Sequence, residues 1–320
     1  SLKIIVKPHY LQTKWAYFIY LLLVVSVIYF FIEFRTRRLR VANHILREKQ
    51  LAALEIAKQK EELTIKNQSI TDSINYAKRI QTAMLPPDNY FKELFPESFV
   101  LFKPRDIVSG DFYWASEEKD KIFLAVVDCT GHGVPGAFMS IIGYDLLRTV
   151  TKERGIENPA HILKEMDMEL SAIFRRSYHE EAVRDGMDMS VCVFYKDTNI
   201  MEYAGAMNPV YIIREDSIKQ IKADRFSIGN LEKDAASIQY TNHEIPLEKG
   251  DLIYLFSDGY SDQFGGPLGK KLKSRRFRHI LLSVYKLPLY QQKEYLEENI
   301  KNWRNEMEQV DDMLIIGIKM

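Results

Sequence analysis

Eighteen consecutive residues from Trp15 to Ile32, WAYFIYLLLVVSVIYFFI, carry no charge. As a helix this run is long enough to cross the hydrocarbon of a bilayer with little tilt. Aromatic side chains crowd both of its ends, as in an interfacial belt. The alternative is the core helix of a soluble domain. Arg35, Arg37, Arg38 and Arg40 follow at once, against Lys3, Lys7 and Lys14 before it. That asymmetry places everything after the span in the cytoplasm. No charged-then-apolar leader with a small-residue cleavage site precedes the span, so the chain reads as the interior of a longer protein.

From Thr36 to Leu85 there is no glycine and no proline until Pro86 and Pro87. The stretch predicts one long helix, or two in register. A seven-residue repeat runs through Leu39, Ala42, Leu46, Lys49, Ala53, Ile56, Lys60, Leu63, Asn67, Ile70, Ile74 and Ala77, and nine of these twelve positions are apolar. A parallel two-stranded coiled coil over residues 36–85 is therefore expected, hence a homodimer, with Lys49, Lys60 and Asn67 lowering stability and fixing register. A solvated charged helix is the alternative. Joined rigidly to a span, such a helix can carry rotation or register shift to the domain at its far end.

Beyond Pro87 the pattern is mixed. Residues 98–102, 122–128, 189–195, 200–204, 210–214, 237–244, 252–257 and 313–319 read as strands. Residues 135–152 and 159–176 read as helices with Pro in the first turn, and a later helix pair is expected at 275–285 and 289–308. Strands early and late with helix pairs between suit a two-sheet core with helices outside, an α+β architecture. There is no internal repeat. Formal net charge is zero, which gives no reason to expect nucleic acid as a partner. The two cysteines, Cys129 and Cys192, lie in apolar runs and read as reduced, buried thiols, and two cysteines exclude a disulfide framework.

Acidic residues mark the strand ends. Asp111 follows Ser109-Gly110, and Asp128 ends an apolar run and opens into Cys129-Thr130-Gly131-His132-Gly133. Leu252 to Phe256 ends in Ser257-Asp258-Gly259, and Asp311-Asp312 leads into the last apolar run. One such Asp is more often a turn or cap residue. Four strand ends carrying Asp make an all-oxygen cage for Mg²⁺ or Mn²⁺, completed by water. Asp188 precedes a strand and is a candidate for a weaker third ion, with a turn role as the alternative. Asp262 is weighed in the same way, against capping. His132, between two glycines, is a candidate general acid or a turn former. Lys103 and Arg105 are candidates to bind an anionic group of a substrate, such as a phosphate, or simply a solvated strand end. The segment Gly265 to Arg278, GGPLGKKLKSRRFR, is strongly basic. It reads as an exposed loop, or as a flap toward an acidic partner or lipid head groups.

G-D-F-Y at 110–113, V-D-C-T-G-H-G at 127–133, S-D-G-Y-S-D at 257–262 and D-D-M at 311–313 resemble the motifs of the SpoIIE-like branch of metal-dependent Ser/Thr protein phosphatases, the type 2C group. The resemblance covers residues 74–320 with motif order and spacing intact, and Ser109 stands where glycine is frequent. It implies an α/β/β/α sandwich with a dinuclear metal site between the sheets. By that resemblance Asp128 bridges two ions with the carbonyl of Cys129 or its neighbours beside it, Asp258 and Asp311 hold the other side, and Asp111 binds a metal or orients its water. Asp312 is a further candidate ligand or an outer support. The run from Ile74 to Pro87 resembles the helix and Leu-Pro turn that enter such domains and help switch them on. Leu2 to Val6 resembles the last strand of an extracytoplasmic Y_Y_Y sensor domain.

Together these readings give residues 1–14 as the end of a sensor domain, 15–34 as a transmembrane helix, 35–73 as a coiled-coil linker and 74–320 as a phosphatase domain. The expected protein is a single-pass enzyme of the bacterial inner membrane, with its catalytic domain in the cytoplasm. It would act on phosphoserine or phosphothreonine of a regulatory protein such as a STAS-type anti-sigma-factor antagonist. A non-catalytic scaffold is the rival. A histidine kinase fits less well because His44 lacks the context of a phosphoacceptor and no ATP-binding boxes follow. A nucleotide cyclase does not explain the four-point order and the GHG turn.

Overall fold

The computed structural model describes residues 10–177, 185–229 and 238–320. The chain divides into two compact units, Ser1–Thr71 and Asp72–Met320.

In the first unit a short 3-10 turn (Tyr10–Gln12) leads into helix α1 (Lys14–Met84). The Thr13 hydroxyl accepts from the amide of Ala16 at 3.3 Å and caps the helix start. With neither glycine nor proline between Lys14 and Met84, nothing interrupts the backbone ladder. The expected span and the expected linker thus lie on one continuous helix. Its most apolar 18-residue window has a mean hydropathy of 2.3 and no buried residue, so by length and composition it qualifies to cross a membrane. Further along, Leu39, Leu46, Ile56, Leu63 and Ile70 of the seven-residue repeat are all exposed. The expected Leu2 to Val6 strand lies outside the described residues.

The second unit is an α/β/β/α sandwich, as the motif resemblance implies. One sheet has the order β1 (Ser98–Lys103), β12 (Met313–Lys319), β9 (Leu252–Phe256), β6 (Val210–Arg214), β7 (Ser217–Ile221). The other has the order β2 (Phe112–Glu118), β3 (Lys121–Cys129), β4 (Met187–Tyr195), β5 (Ile200–Ala206), β8 (His243–Pro246). All pairings within both sheets are antiparallel. Helices α3 (Gly133–Arg148) and α4 (Pro159–Ser177) cover the second sheet, and α6 (Lys273–Val284) and α7 (Leu289–Arg304) cover the first. The small elements are α2 (Asp88–Leu94), α5 (Gly259–Asp262) and a hairpin of β10 (Phe264–Gly265) with β11 (Lys270–Lys271).

The strand sequences explain the layering. Ile122, Leu124 and Val126 of β3 point into the core between the sheets, while Phe123, Ala125 and Val127 meet the helices. A strand buried on both faces must be apolar at every position, not at alternate ones. The same holds for β9 and β12, whose side chains alternate between the inter-sheet core and the helix-facing core. Strand β2 was not legible because its polar end, Ser116 to Glu118, hid the pattern, although Phe112 to Ser116 are all buried. The short β7, β10 and β11, and the helices α2 and α5, were likewise not expected. The expected helix at 289–308 ends at Arg304, where Asn305 turns to φ 50°. The start of the expected strand 237–244 lies outside the described residues, and β8 itself begins at His243.

Leu124 is fully buried between the sheets. Leu124→Ala should cost about 2–5 kcal/mol, lowering the urea midpoint followed through the fluorescence of the buried Trp114. A loss below about 1 kcal/mol would mean that the two sheets are not packed through this residue.

Candidate metal centre and active site

Chain direction brings the acidic residues to one end of the sandwich. Asp111 immediately precedes β2, and Asp128 sits one residue from the end of the antiparallel β3. Asp258 lies just past the end of β9, and Asp311 just before its antiparallel neighbour β12. Each sheet therefore delivers two carboxylates. The amide of Asp258 donates to Asp128 Oδ2 at 3.3 Å and ties the two sheet ends together.

The loops that present them are held by close backbone contact. A Cβ at Gly110 would lie 2.5 Å from the carbonyl oxygen of Gly131, and one at Gly136 would lie 2.4 Å from the same atom. Gly131 itself has φ +85°, a conformation that glycine takes without strain. The GHG turn, the Asp111 loop and the start of α3 thus interlock because Gly110 and Gly136 lack side chains and Gly131 takes a positive φ. A Cβ at Gly259 would meet the Asp312 carbonyl at 1.9 Å, which fixes the Asp258 turn against the strand carrying Asp311.

Asp312 is buried, and its carboxylate accepts from the amides of Arg105 (Oδ1, 2.6 Å) and Gly110 (Oδ2, 2.7 Å). Both of its oxygens thus bond to the one connection between β1 and β2 and tie it to the start of β12. Asp311 Oδ1 accepts from the amide of Asp312 at 2.9 Å. Asp188 pairs with Asp128 across β3 and β4, and Thr130 and Gly186 exchange two hydrogen bonds, 2.9 and 3.0 Å, that bring its segment alongside the GHG turn. The buried Cys129 thiol is raised well above its ordinary range by burial, then by the charges of Asp128 and Asp111, so its carbonyl, not its sulfur, is the available donor. Lys103 ends β1 and its carbonyl accepts from Gln309 at 2.8 Å. The Arg105 guanidinium donates to the Val310 carbonyl at 2.8 Å. Asp262 is paired with Lys271 of β11.

The electrostatics are those of a cation site. Burial, then the charge of Asp128, raises the Asp111 carboxyl well above its usual range, while a hydrogen bond from Ser257 offsets part of the effect. Burial and then Asp258 raise Asp128 in the same way. Asp258 reaches solvent, yet desolvation followed by Asp262, Asp311 and Asp188 pushes it up to about 6. Asp311 is raised by burial, against relief from His132 and Arg105. Repulsion among carboxylates that the fold nevertheless holds together is the signature of a site built for positive charge. Asp111 Oδ2 supplies an independent sign: it is buried and has no hydrogen-bond partner, and a buried carboxylate oxygen without a partner is costly. Among the described residues no three His, Cys, Asp or Glu side chains converge as ligands of a single ion. The donor set is instead spread over two sheets, an arrangement that fits hard, oxygen-ligated ions completed by water.

Three supporting residues escaped the sequence reading. Asp106 Oδ2 lies 2.6 Å from Nδ1 of His132 and orients its ring. Ser257 sits between Asp111 and the amide of Leu314, to which its hydroxyl oxygen is bound at 3.0 Å. Gln81, the one buried residue of α1, donates to the Ser109 carbonyl (2.6 Å) and the Ser140 hydroxyl (2.8 Å) and accepts from the Ser109 amide (3.1 Å). Its signal was available: Gln81 stands four residues beyond Ala77, at the next position of the seven-residue repeat.

With that geometry in view, comparison with known proteins is decisive. The family model for stage II sporulation protein E matches residues 118–320, more than half of the chain. The chain belongs to the SpoIIE family. The SiaA-PP2C domain of Pseudomonas aeruginosa is 34% identical with a TM-score of 0.70, the match covering 79% of this chain and 98% of that one. Phosphoserine phosphatase RsbU of Bacillus subtilis is 29% identical over 169 residues, which is 50% of this chain and 44% of RsbU, so the match spans less than half of that relative. The PP2C phosphatase domain of SpoIIE from Bacillus subtilis, 20% identical with a TM-score of 0.57 over 70% of this chain and 63% of that one, shares the fold. PP2C-type phosphatases of the SpoIIE family are metal-dependent.

The raised carboxyls give the site a pH signature without metal. Groups whose folded pKa lies above the unfolded value hold extra protons in the native state, so stability falls as pH rises through that window. For Asp258 the window runs from 3.8 to about 6. In chelator, the thermal midpoint of the wild-type chain should fall relative to Asp258→Asn as pH is raised from about 4 to about 6. Mn²⁺ should remove the difference for the wild type. A gap that does not change with pH would show that Asp258 feels no such crowding.

Proposed function

We propose that the chain is a metal-dependent protein serine/threonine phosphatase tethered to the membrane and controlled through α1. The buried, unpartnered Oδ2 of Asp111, among carboxylates from both sheets, is the observation that carries this reading. Asp111, Asp128, Asp258 and Asp311 would hold two Mn²⁺ or Mg²⁺ ions, with Asp188 a candidate ligand for a third. When bound, the ions neutralise the phosphoryl oxygens and lower the pKa of water, the nucleophile. The chain's own groups do the rest. Asp111 and Asp128 would orient that water and accept the proton it loses on attack, so that no covalent protein nucleophile is needed. His132, held through Nδ1 by Asp106, has Nε2 free to hand a proton to the departing serine or threonine oxygen. Lys103 at the end of β1 and Arg105 just after it would supply positive charge for a phosphate dianion.

The substrate class is a phosphorylated regulatory protein, with a STAS-type anti-sigma-factor antagonist as the leading choice. Residues 1–14 end a sensor domain, 15–34 span the bacterial inner membrane, 35–73 pair with a second copy and 74–320 catalyse in the cytoplasm. The exposed apolar positions of the repeat along α1 support the pairing, because a second helix would bury them. Gln81 supports control from α1, since the helix end is bonded to the loop next to Asp111.

The full chain in detergent should release phosphate from p-nitrophenyl phosphate with Mn²⁺. Chelation or Asp128→Asn should reduce the rate at least about 100-fold. Absence of both turnover and Mn²⁺ binding would favour a non-catalytic scaffold.

His132→Ala offers a separate check on its role as proton donor. It should slow a phosphoserine peptide by about 10²-fold or more yet leave p-nitrophenyl phosphate nearly untouched, because p-nitrophenolate departs without a proton. Equal losses on both substrates would assign His132 to the turn alone.

A further inference from the structure

Between Lys270 and Arg278 the sequence KKLKSRRFR places six basic residues in nine, with no acid, in a chain whose formal net charge is zero. The segment runs from β11 into the first half of α6, and Lys270, Lys271, Lys273, Arg275 and Arg276 are all exposed. Some of these charges have structural work. Arg276 stacks over Trp303 at 4.3 Å, Arg278 contacts Tyr211 and Gln220, and Lys271 is paired with Asp262. Lys270, Lys273 and Arg275 project from the same strip.

The strip is anchored beside the metal site. Lys271 binds Asp262, whose helix begins at the residue after Asp258, and its charge acts on Asp258 and Asp311. The hairpin is held rigidly from behind. The amide of Gly266 donates to the Trp303 carbonyl at 2.8 Å, and the Trp303 indole donates to the Gln263 carbonyl at 3.0 Å. The turn leaves Leu268 77% exposed at its tip. Between the hairpin and the end of α7 lies a cleft of about 480 Å³ that includes Gly266, Pro267, Asn305 and Met307.

Accepting the phosphatase reading, we propose that this strip is the docking edge for the protein substrate. Lys270, Lys273 and Arg275 receive acidic side chains flanking the phosphoresidue, and Leu268 rests on an apolar side chain beside them. Like charge around a cation site would attract phosphate indiscriminately. A strip set to one side of the carboxylates selects by what lies next to the phosphate. Continuity with Asp258 through α5 favours a protein substrate over a lipid surface, because whatever binds the strip must also bring a phosphate to the carboxylates.

The test compares wild type with the triple variant K270E/K273E/R275E, full-length in detergent, leaving Lys271 intact. Probes are fluorescein-labelled phosphoserine peptides with Glu or with Lys on both flanks, read by anisotropy and by phosphate release, together with p-nitrophenyl phosphate. Wild type should bind and turn over the Glu-flanked peptide roughly 10-fold better than the Lys-flanked one at low salt, and added salt should shrink the gap. The variant should lose or invert that preference while hydrolysing p-nitrophenyl phosphate at the wild-type rate.

An unchanged preference, or an equal loss on all three probes, overturns the proposal. So does a variant that alters p-nitrophenyl phosphate turnover in phosphatidylserine vesicles while keeping the peptide preference, because the strip would then face lipid. A wild-type chain that hydrolyses nothing refutes the phosphatase reading, and the anisotropy still decides the docking edge: a flank preference that the variant loses upholds it, and none overturns it.

Discussion

Repulsion among carboxylates at one end of the sandwich is the constraint around which the second unit is arranged. Left to themselves, Asp111, Asp128, Asp258 and Asp311 would separate or bind protons, and their carboxyls are raised first by burial and then by neighbouring charge. The fold denies them the first option. Each carboxylate is fixed by a strand buried on both faces, and the turns beyond those strands interlock where Gly110 and Gly136 approach the Gly131 carbonyl at distances where no side chain fits. Asp312 adds a brace by taking two loop amides on one carboxylate. The core between the sheets thus supplies the free energy that holds like charges together, and a divalent cation converts that cost into affinity.

The same logic gives the end of α1 its importance. A glutamine amide satisfied three times in a buried setting is directional in a way that an apolar contact is not. Through the Ser109 carbonyl and amide it sets the backbone two residues ahead of Asp111, and through the Ser140 hydroxyl it reaches α3, which starts at the GHG turn. Loss of those bonds would leave buried polar groups unpaired on both sides, so the loop has a discrete bonded arrangement rather than a continuum. A discrete arrangement is what a switch requires.

Much of this was legible in the sequence because burial on both faces writes itself as unbroken apolar runs, and the runs at 122–127, 252–256 and 313–318 each stop at or start from an acidic residue. The uninterrupted helix was legible from a single composition rule, the lack of glycine and proline from Lys14 to Met84. What escaped was long-range and polar. Asp106 reaches across 26 positions to His132, and Gln81 across 28 to Ser109. Nothing local in the chain distinguishes Asp106 from a solvent-facing residue, and the repeat position of Gln81 marks a buried face without naming its partner. Strand β2 escaped for another reason: its tail is charged while its head is aromatic, so neither period dominates. For Asp312 the sequence left two roles open, ligand or outer support, and the two backbone amides that occupy its oxygens, invisible to any motif, favour the second.

These features join into one thermodynamic argument. If cations relieve the repulsion that the core sustains, whatever fixes the Asp111 loop also fixes cation affinity, because both act on one native arrangement. Gln81 belongs to α1, and the Asp111 loop belongs to the carboxylate set. An input that shifts α1 toward the bonded arrangement therefore raises cation affinity by the same factor by which cations stabilise that arrangement. Reciprocity of this kind needs no contact between the input and the substrate. It needs a loop with two arrangements, and the polar bonds at Ser109 beside the glycine interlock at Gly110 supply one of them explicitly.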